Sequence, residues 1–378
     1  MSRKIRLGDI ATVITKGTTP TTIGFSFVDA GINFVKIESI SENGTLIPDK
    51  FAHITQECDQ KLKRSRLEEN DILFSIAGAI GRTAIVPKSI LPANTNQALA
   101  IIRIPQDTIN LHFVLYALQS QAVEEQSEKQ KQGVAQLNLS LKNIADIEIP
   151  LVSSARQNEI VENLSAIDAA IAQRKEQLWL LDQLVKSRFI ELFGDPITNS
   201  KGLKTNALKD VLVLKAGDFT AASDISDEQT AEYQYPCYGG NGIRGYVTEY
   251  NQEGAYSLIG RQGALSGNVQ YAKGRFRNTE HALLVTPTVA MNSIWLNQLL
   301  INLDLKRYQT GAAQPGLSVK NLQEIPIISV VLSEQNAFAA FVEQTDKSKF
   351  LHYKALLCCR SAANLYRQEW MTCQTSVS

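Results

Sequence analysis

Apolar residues recur in an alternating three–four step along residues 151–193. The step runs from position 160 to position 192, and its two polar members are Arg174 and Arg188. The apolar members are Ile160, Leu164, Ile167, Ile171, Leu178, Leu181, Val185 and Leu192. This spacing is that of a coiled-coil seam, so it predicts a helix packed on a second helix, either parallel or antiparallel. Gly194, with Pro196 behind it, predicts where the helix ends.

A second long helix is predicted over residues 332–378, where the same step continues to the end of the chain. Its apolar and small members are Phe338, Val342, Leu356, Cys359, Ala363, Tyr366 and Trp370. Thr345, Lys349 and His352 interrupt the apolar seam. We therefore expect this helix to depend on the first helix, or on a partner chain, for its stability.

Shorter patterns predict a mixed α/β domain over residues 1–150. Residues 32–37 alternate like a half-buried strand, and residues 71–76 and 98–103 are predicted to be buried strands. Residues 111–119 place apolar side chains at helical spacing. Residues 194–331 repeat this composition of short strands and turns, which predicts a second domain of the same class.

An internal repeat relates the two halves of the chain by a shift of 178 residues. The identical pairs include Gly133/Gly311, Gln136/Gln314, Leu139/Leu317, Ser140/Ser318, Lys142/Lys320, Asn143/Asn321, Val152/Val330, Gln157/Gln335, Asn158/Asn336 and Asp168/Asp346. Weaker echoes link residues 7–10 with 208–211, 75–78 with 257–260, and 94–95 with 278–279. The repeat predicts two copies of one module, a domain followed by a long helix.

Composition places the chain among globular proteins. It has 378 residues, 44% hydrophobic and 20% charged, with a net charge of zero that argues neither for nor against a nucleic-acid partner. No run of 18 apolar residues predicts a membrane span, and the first residues are too polar for a signal peptide. Five cysteines without a C-x-x-C pair are typical of reduced thiols, which predicts a cytoplasmic protein without a zinc site.

Motifs for catalysis are scarce. The sequence contains no phosphate-binding loop, no G-x-G-x-x-G turn, no Asn-Pro-Pro-Tyr-like methyltransferase motif and no H-E-x-x-H pair. Asp49, Asp59 and Lys61 fit a loose nuclease pattern that would surround a divalent metal. That pattern is degenerate, and a solvated charged loop explains the same residues.

Polar, glycine-rich segments of both halves are typical of loops that approach DNA. Asn, Gln and Arg side chains can pair with base edges, and glycines permit a close approach. The candidates in the first half are Lys16, Thr18, Thr19, Lys36, Arg82, Thr83, Asn94, Asn96 and Gln97. Those in the second half are Tyr238, Asn241, Arg244, Arg261, Gln262, Arg275, Arg277 and Asn278. A solvated hairpin face is the alternative for any one of them.

The repeat core itself has two interpretations. Gln136, Lys142, Gln314 and Lys320 could contact the DNA backbone, or the two segments could be turns that begin each long helix.

The sequence resembles the specificity subunit of Type I restriction–modification systems. The matching segments are residues 17–20, 75–81, 192–196, 238–246 and 311–320, with Ser333–Gln335 at a helix start. The resemblance implies two target-recognition domains, each followed by a conserved spacer helix, with the two helices antiparallel. Residues 136–139 and 153–157 depart from the family's usual Gln-Pro-Gly-Leu and Glu-Gln patterns.

The resemblance also implies a function. Such a subunit would read a bipartite, asymmetric target in double-stranded DNA and would have no catalytic activity or cofactor of its own. S-adenosylmethionine, Mg²⁺ and ATP would belong to its partners, two modification subunits and the restriction subunits. A helical scaffold without sequence-specific DNA binding is the alternative from another class.

Overall fold

A computed structural model of the chain describes residues 4–105, 107, 109–130, 138–263, 265–311 and 316–372. The chain separates into two compact units, one of residues up to 173 together with those from 355 onward, and one of residues 174–354. The division falls inside each of the two long helices. The four-segment division at residues 150, 193 and 331 stays a prediction, because the compact units cross it.

The first unit is built from short strands and short helices. Its strands are β1 (Lys4–Arg6), β2 (Val13–Lys16), β3 (Ile32–Val35), β4 (Ala52–Ile54), β5 (Ile72–Ser75), β6 (Thr83–Ile85), β7 (Ala93–Thr95), β8 (Leu99–Arg103) and β9 (Glu148–Pro150). Its short helices are α1 (Leu7–Ile10), α2 (Gln56–Lys61), α3 (Leu111–Leu118), α4 (Gln121–Gln130) and α5 (Leu141–Ala145). Single 3₁₀ turns occupy Pro20–Ile23, Ile37–Ser39, Pro48–Lys50, Lys63–Ser65 and Lys88–Ile90.

Strand β5 has apolar core on both of its faces. It lies inside an antiparallel sheet of order β2-β8-β5-β6, while β4-β3-β7 form a second sheet in which β3 runs parallel to β7. Successive side chains of a strand point to opposite faces, so Ile72 and Phe74 enter one cluster and Leu73 enters another. Ile160 and Leu164 of the first long helix complete the cluster around Phe74.

The second unit repeats this plan around a larger sheet. The strands of this unit are β10 (Thr205–Ala207), β11 (Leu212–Ala216), β12 (Tyr235–Gly239), β13 (Gly242–Val247), β14 (Gln252–Gly260), β15 (Val269–Asn278), β16 (Ala282–Pro287) and β17 (Pro326–Ile328). Within the unit, the six strands from β11 to β16 form one sheet. Its helices are α7 (Leu208–Val211), α8 (Ser293–Asn302) and α9 (Val319–Leu322), with 3₁₀ turns at Ala222–Asp224 and Leu305–Tyr308. The long helices are α6 (Ser154–Phe193) and α10 (Leu332–Thr372).

The predicted elements of the first domain are confirmed within one or two residues, except that residues 36–37 leave the strand predicted over 32–37. The strands predicted over 71–76 and 98–103 are β5 and β8, and the helix predicted over 111–119 is α3. The echo of residues 7–10 in 208–211 is also confirmed. Leu7 N–H donates to Ile147 O at 3.0 Å, and Leu208 N–H donates to Ile325 O at 2.9 Å.

The two long helices run antiparallel within the second unit. As the residue number on α6 rises from Arg174 through Asp182 to Phe189, its contact on α10 falls from His352 through Lys349 to Phe338. The predicted seam positions of α10 are all buried or half-buried, and Ile160, Leu164 and Val185 of α6 are buried. Ile167, Ile171, Leu178 and Leu181 are half-buried.

The last predicted seam position of α6 is wrong. Leu192 is 37% exposed, whereas Phe189 and Phe193 are buried at 0% and 3%. Their rings lie 5.5 and 5.6 Å from Phe338 and pack against Trp295 of α8. The end of α6 therefore packs on the domain core in addition to α10, and its buried face follows the 3.6-residue period of a straight helix there.

Candidate nucleic-acid interface

Three polar segments meet at one edge of the first unit. The segment after β2 lies against the turn after β7, because Thr18 N–H donates to Thr95 O at 3.2 Å. Gly17 allows this approach, since a Cβ at that position would lie 2.0 Å from the Thr95 carbonyl oxygen. Thr95 Oγ1 in turn donates to Val35 O at 2.8 Å, which holds Lys36 beside the same turn.

Six predicted residues therefore come together, and we refer to them as the first edge. They are Lys16, Thr18, Thr19, Lys36, Asn96 and Gln97. Thr19 Oγ1 is hydrogen-bonded to Gln97 Oε1, and Lys16 and Gln97 are exposed. Lys36 Nζ lies 3.7 Å from Glu38 and 4.4 Å from the centre of the Phe27 ring, so part of its charge is already engaged.

Two predicted contacts in the first unit are wrong, because their side chains serve the interior. Asn94 is fully buried and donates from Nδ2 to Asp59 Oδ1 and Leu62 O at 3.1 and 3.2 Å. Thr83 is 1% exposed, and its hydroxyl accepts from Gln119 Nε2 at 3.0 Å. Neither side chain is available to DNA.

Arg82 is also removed from the candidate contacts. Its guanidinium donates to Ile40 O at 3.0 Å and lines a cavity of about 250 Å³. Glu42, Glu124 and Glu128 line the same cavity. Carboxylates at that position would repel a phosphate.

A corresponding edge forms in the second unit around a glycine turn. The turn after β12 lies against the end of β14, where a Cβ on Gly260 would meet Gly240 O at 2.1 Å. Asn268 Nδ2 donates to Asn241 Oδ1 at 2.7 Å. The aliphatic part of Arg244 packs over Gly239, where an added Cβ would lie 2.4 Å from Arg244 Cδ.

Arg261 and Gln262 lie in the segment after β14 and complete this edge together with a residue that the sequence interpretation missed. Arg261 N–H donates to His281 O at 3.1 Å, and His281 Nδ1 lies 2.9 Å from Gln262 Oε1. We refer to Asn241, Arg244, Arg261, Gln262 and His281 as the second edge. Extending the echo of residues 94–95 in 278–279 by two residues would have placed His281 opposite Gln97.

The remaining candidates of the second half lie elsewhere or inside. Arg275 Nε is 3.2 Å from Glu253 Oε1, and Arg277 donates to Thr220 Oγ1 and Phe219 O at 3.2 and 3.4 Å. These two guanidinium groups therefore already have partners in the protein.

Asn278 was wrongly predicted as a contact. It is 1% exposed, and its Nδ2 faces Ala282 O. Tyr238 is half-buried and packs edge-on against Phe276 at 5.4 Å, and burial raises the pKa of its hydroxyl, so the phenol is protonated at neutral pH.

The described part of the repeat core, residues 138–143 and 316–321, leads into two short helices and does not begin the long helices. Ser140 and Ser318 cap the short helices α5 and α9 through the N–H groups of Asn143 and Asn321. Lys142 and Lys320 are exposed in the first turn of these helices, so their contact with DNA stays a prediction. Gln136 and Gln314 lie outside the described residues.

Backbone hydrogen bonds define which positions of the two edges correspond. Ile76 N–H donates to Ala98 O at 2.9 Å, as Arg261 N–H does to His281 O at 3.1 Å. Leu139 N–H donates to Ile76 O at 2.9 Å, as Leu317 N–H does to Arg261 O at 2.8 Å. Residue 76 thus corresponds to residue 261, and the echo of 75–78 in 257–260 is displaced by three positions.

The correspondence has a chemical consequence. Where the first unit has Ile76 and Ala77, the second unit has Arg261 and Gln262 on the same backbone scaffold. The two edges therefore share their geometry but present different groups for hydrogen bonding.

The nuclease pattern receives no geometric support. Asp59 is 6% exposed and pairs with Arg66 Nη2 at 2.5 Å, in addition to accepting from Asn94. In the described part of the chain, no three His, Cys, Asp or Glu side chains are placed to hold a metal ion. Of the cysteines described, Cys58 and Cys237 are buried free thiols whose pKa burial raises, and Cys358 and Cys359 are also free.

No helix within the described ranges is long and apolar enough to cross a membrane. The long helices α6 and α10 carry charged residues throughout their length.

Comparison with known proteins agrees with this architecture. Residues 2–179 and 200–355 match the family model of the Type I restriction modification DNA specificity domain. The chain is 30% identical to the specificity subunit of the Type I restriction enzyme EcoprrI of Escherichia coli over 359 residues, 87% of this chain and 84% of that subunit.

Two solved structures share the fold. The S subunit of a Type I restriction–modification system from M. genitalium aligns with a TM-score of 0.57 at 16% identity, covering 99% of this chain and 97% of that one. A chain from a study of complex assembly and conformational transition of the type I R-M system aligns with a TM-score of 0.55 at 17% identity, covering 97% and 96%. This chain, with its two specificity domains and two long helices, belongs to the family of Type I restriction–modification DNA specificity subunits.

Proposed function

We propose that the first and second edges each read one half of a bipartite, asymmetric site in double-stranded DNA. The observation that carries this proposal is the pair of equivalent scaffolds with different side chains. Backbone hydrogen bonds hold residue 76 in the first unit and residue 261 in the second unit at equivalent positions, yet one is Ile and the other is Arg. Equal geometry with unequal chemistry favours two different half-sites.

The first edge offers lysines for phosphates and small polar groups for bases. The exposed Lys16 suits a phosphate contact, which positions a protein without reading sequence. Thr18, Thr19, Asn96 and Gln97 provide hydroxyl and amide groups that can pair with base edges in the major groove.

The second edge is richer in guanidinium groups. Arg244 is exposed, and Arg261 is half-exposed with its Nη1 also donating to Glu280 O at 3.4 Å. A guanidinium group is the side chain that pairs with guanine O6 and N7. Asn241 and Gln262 are exposed amides of the kind that pair with adenine. Gly240 and Gly260 let the turn after β12 lie against the end of β14, which holds Asn241 beside Arg261 and Gln262.

Exposed apolar side chains on the long helices of the second unit are candidate contacts for the modification subunits. Trp179, Leu180 and Leu184 of α6 are 58%, 50% and 48% exposed, and Phe350, Leu351 and Tyr353 of α10 are 56%, 67% and 51% exposed. Exposed apolar area of this kind marks protein interaction sites. We refer to these six residues as the outer stripe.

Catalysis then belongs to the partners of this chain. In this proposal two modification subunits bind S-adenosylmethionine and methylate adenine, and the restriction subunits use ATP and Mg²⁺. The chain itself supplies DNA recognition and assembly, in the cytoplasm of a bacterium or archaeon.

Mapping of methylated bases tests the proposal. Cells that express this chain with its modification subunits should methylate adenine in a motif of two half-sites, and cells without the chain should lose that methylation. Arg261→Ala with Gln262→Ala should alter one half-site and leave the other unchanged. Methylation that is unchanged by this pair of substitutions, or by removal of the chain, would instead support a scaffold without sequence recognition.

A further inference from the structure

A buried glutamine joins the recognition domain of the first unit to its long helix. Gln157, in the first turn of α6, is 5% exposed. Its Oε1 accepts from the backbone N–H of Asn110 at 2.9 Å, and its Nε2 donates to Val152 O at 3.0 Å. The next residue, Asn158, accepts through Oδ1 from Asn110 Nδ2 at 2.9 Å.

The second unit contains the same arrangement. Gln335 is 3% exposed, and its Oε1 accepts from the N–H of Asn292 at 2.8 Å. Gln335 Nε2 donates to Val330 O at 2.8 Å, and Asn292 Nδ2 donates to Asn336 Oδ1 at 2.9 Å. Each of the three hydrogen bonds agrees with its counterpart within 0.2 Å, from the paired distances 2.9/2.8, 3.0/2.8 and 2.9/2.9 Å.

The asparagine in each arrangement also caps a helix of the recognition domain. Asn110 Oδ1 accepts from the N–H groups of His112 and Phe113 at 3.0 and 3.2 Å, at the start of α3. Asn292 Oδ1 accepts from Ile294 and Trp295 at 3.0 and 3.2 Å, at the start of α8. One asparagine thus uses its N–H and both side-chain ends to join two helix starts.

Hydrogen bonds restrict orientation more strictly than the apolar packing around them. Apolar contacts tolerate small sliding, whereas hydrogen bonds weaken steeply away from a straight geometry. A buried amide that is left without a partner also lowers the stability of the folded protein. Neighbouring seam positions differ between the repeats, with Ile160 against Phe338 and Leu164 against Val342, while the glutamine and both asparagines are retained.

We propose that Gln157 with Asn158, and Gln335 with Asn336, are positioning residues that fix the angle of each recognition domain on its own long helix, and thereby the number of unread bases that the protein accepts between half-sites. This inference rests on the proposed function. It concerns spacer length, whereas the two edges concern the identity of the bases read.

Leucine and aspartate variants of the two helix asparagines separate positioning from stability. Asn158→Leu with Asn336→Leu keeps the side-chain size but removes the acceptor for Asn110 and Asn292. Asn158→Asp with Asn336→Asp keeps that acceptor. The full chain is assembled with its modification subunits, and methylation rates are measured on duplexes with the native spacer and with one base pair more or fewer.

The leucine pair should lower the preference for the native spacer by about tenfold, because Asn110 and Asn292 each lose the acceptor that helps to hold the domain in one orientation on its helix. The aspartate pair should keep that preference. A leucine pair with a lower melting temperature but native spacer preference would overturn the proposal. If the leucine pair does not fold, Asn336→Ser alone, whose hydroxyl is too short to reach Asn292, replaces it in the same assay.

A distance measurement tests the angle without any DNA. Spin labels introduced as unnatural amino acids at Glu69 and Glu162, both exposed and both in the first unit, report the angle between domain and helix. The distance distribution should broaden with Asn158→Leu and stay narrow with Asn158→Asp. A distribution that stays narrow in both variants would overturn the positioning role even if DNA recognition is intact. A third outcome separates the two proposals. If the wild type shows no bipartite methylation but the distance distribution broadens in the leucine variant, only the proposed function and the spacer-length part of this inference are overturned.

Discussion

The ammonium of Lys349 lies 2.7 Å from the carboxylate of Asp182, across the two long helices of the second unit. Lys349 also lies 3.2 Å from Asp346 on its own helix. Beside it in the seam, Arg174 Nη1 is 3.2 Å from His352 Nδ1. Of the polar residues that interrupt the predicted seam, Arg174 and His352 are thus paired with each other, and Lys349 is paired with two carboxylates beside the seam. A polar layer of this kind specifies helix register at some cost in stability.

Charge reversal at this pair should destabilise the helix pair, and a second reversal should partly restore it. Lys349→Asp places a carboxylate beside Asp182 and Asp346, for which we expect a loss of about 1–2 kcal/mol in the free energy of unfolding. Asp182→Lys in the same chain should recover about 0.5–1 kcal/mol, because the new residue at 349 still faces Asp346. Urea denaturation of the four proteins in this cycle gives the coupling energy, and a coupling of zero would show that the pair adds no stability.

The same pair predicts how stability depends on pH. Burial alone lowers the pKa of Lys349, but Asp182 and Asp346 outweigh burial and raise it above the ordinary value of 10.5. A raised pKa in the folded state means that the stabilisation is fully present below the unfolded pKa and is lost as pH rises through the folded pKa. The difference in unfolding free energy between wild type and Lys349→Met should therefore be constant up to about pH 9 and shrink above pH 10.5. A constant difference across that range would contradict the pairing.

The close backbone contact at Gly17, beside the first edge, predicts that a side chain at position 17 destabilises the protein. A Cβ would lie 2.0 Å from Thr95 O in the first unit, and at Gly217 it would lie 2.1 Å from Asn278 O. Each Gly→Ala substitution should lower unfolding free energy by about 2–4 kcal/mol, because the backbone itself must shift. Gly316→Ala is the control, since the nearest atom there is at 3.5 Å and ordinary contact results. Thermal melting should separate the two classes, and a tolerated Gly217→Ala would argue against the described strand contact.

Alanine substitutions of Arg244 and of Asn278 should separate DNA recognition from stability. Arg244→Ala should weaken binding to the cognate site by about 1–3 kcal/mol more than binding to random DNA, because a base contact is lost. Asn278→Ala should lower the melting temperature and leave the ratio of cognate to random binding unchanged, since Asn278 is buried. Competition binding at fixed salt measures both ratios. Equal loss on both DNAs for Arg244→Ala would assign it to a phosphate.

Periodicity predicted the fold more successfully than composition predicted the interface. The three–four step found nine of ten seam positions of α6 as at least half-buried and missed only Leu192, because near the end of α6 Phe189 and Phe193 pack on Trp295 of the domain core as well as on Phe338 of α10. Asn94 and Asn278 look like DNA contacts by residue type alone. Both are buried, and Asn94 donates to Leu62 O and Asp59 Oδ1, which lie far away in the sequence. No local pattern reveals partners of that kind.

The inner and outer faces of α6 should respond differently to the same substitution. Leu178 and Leu181 are half-buried seam residues, whereas Leu180 and Leu184 of the outer stripe are 50% and 48% exposed. Leu178→Asp with Leu181→Asp introduces unpaired charge into the seam and should cost several kcal/mol, so the helix pair separates and the melting temperature falls.

Leu180→Asp with Leu184→Asp makes the same chemical change on the same turns of α6, which makes it a matched comparison. It should leave melting close to wild type, because the carboxylates face water, but should abolish co-purification with the modification subunits if the outer stripe binds them. Thermal melting and pull-down of both double variants give four results. Normal partner binding by the outer-stripe variant would move the partner site elsewhere, and normal melting of the seam variant would refute the helix pairing itself.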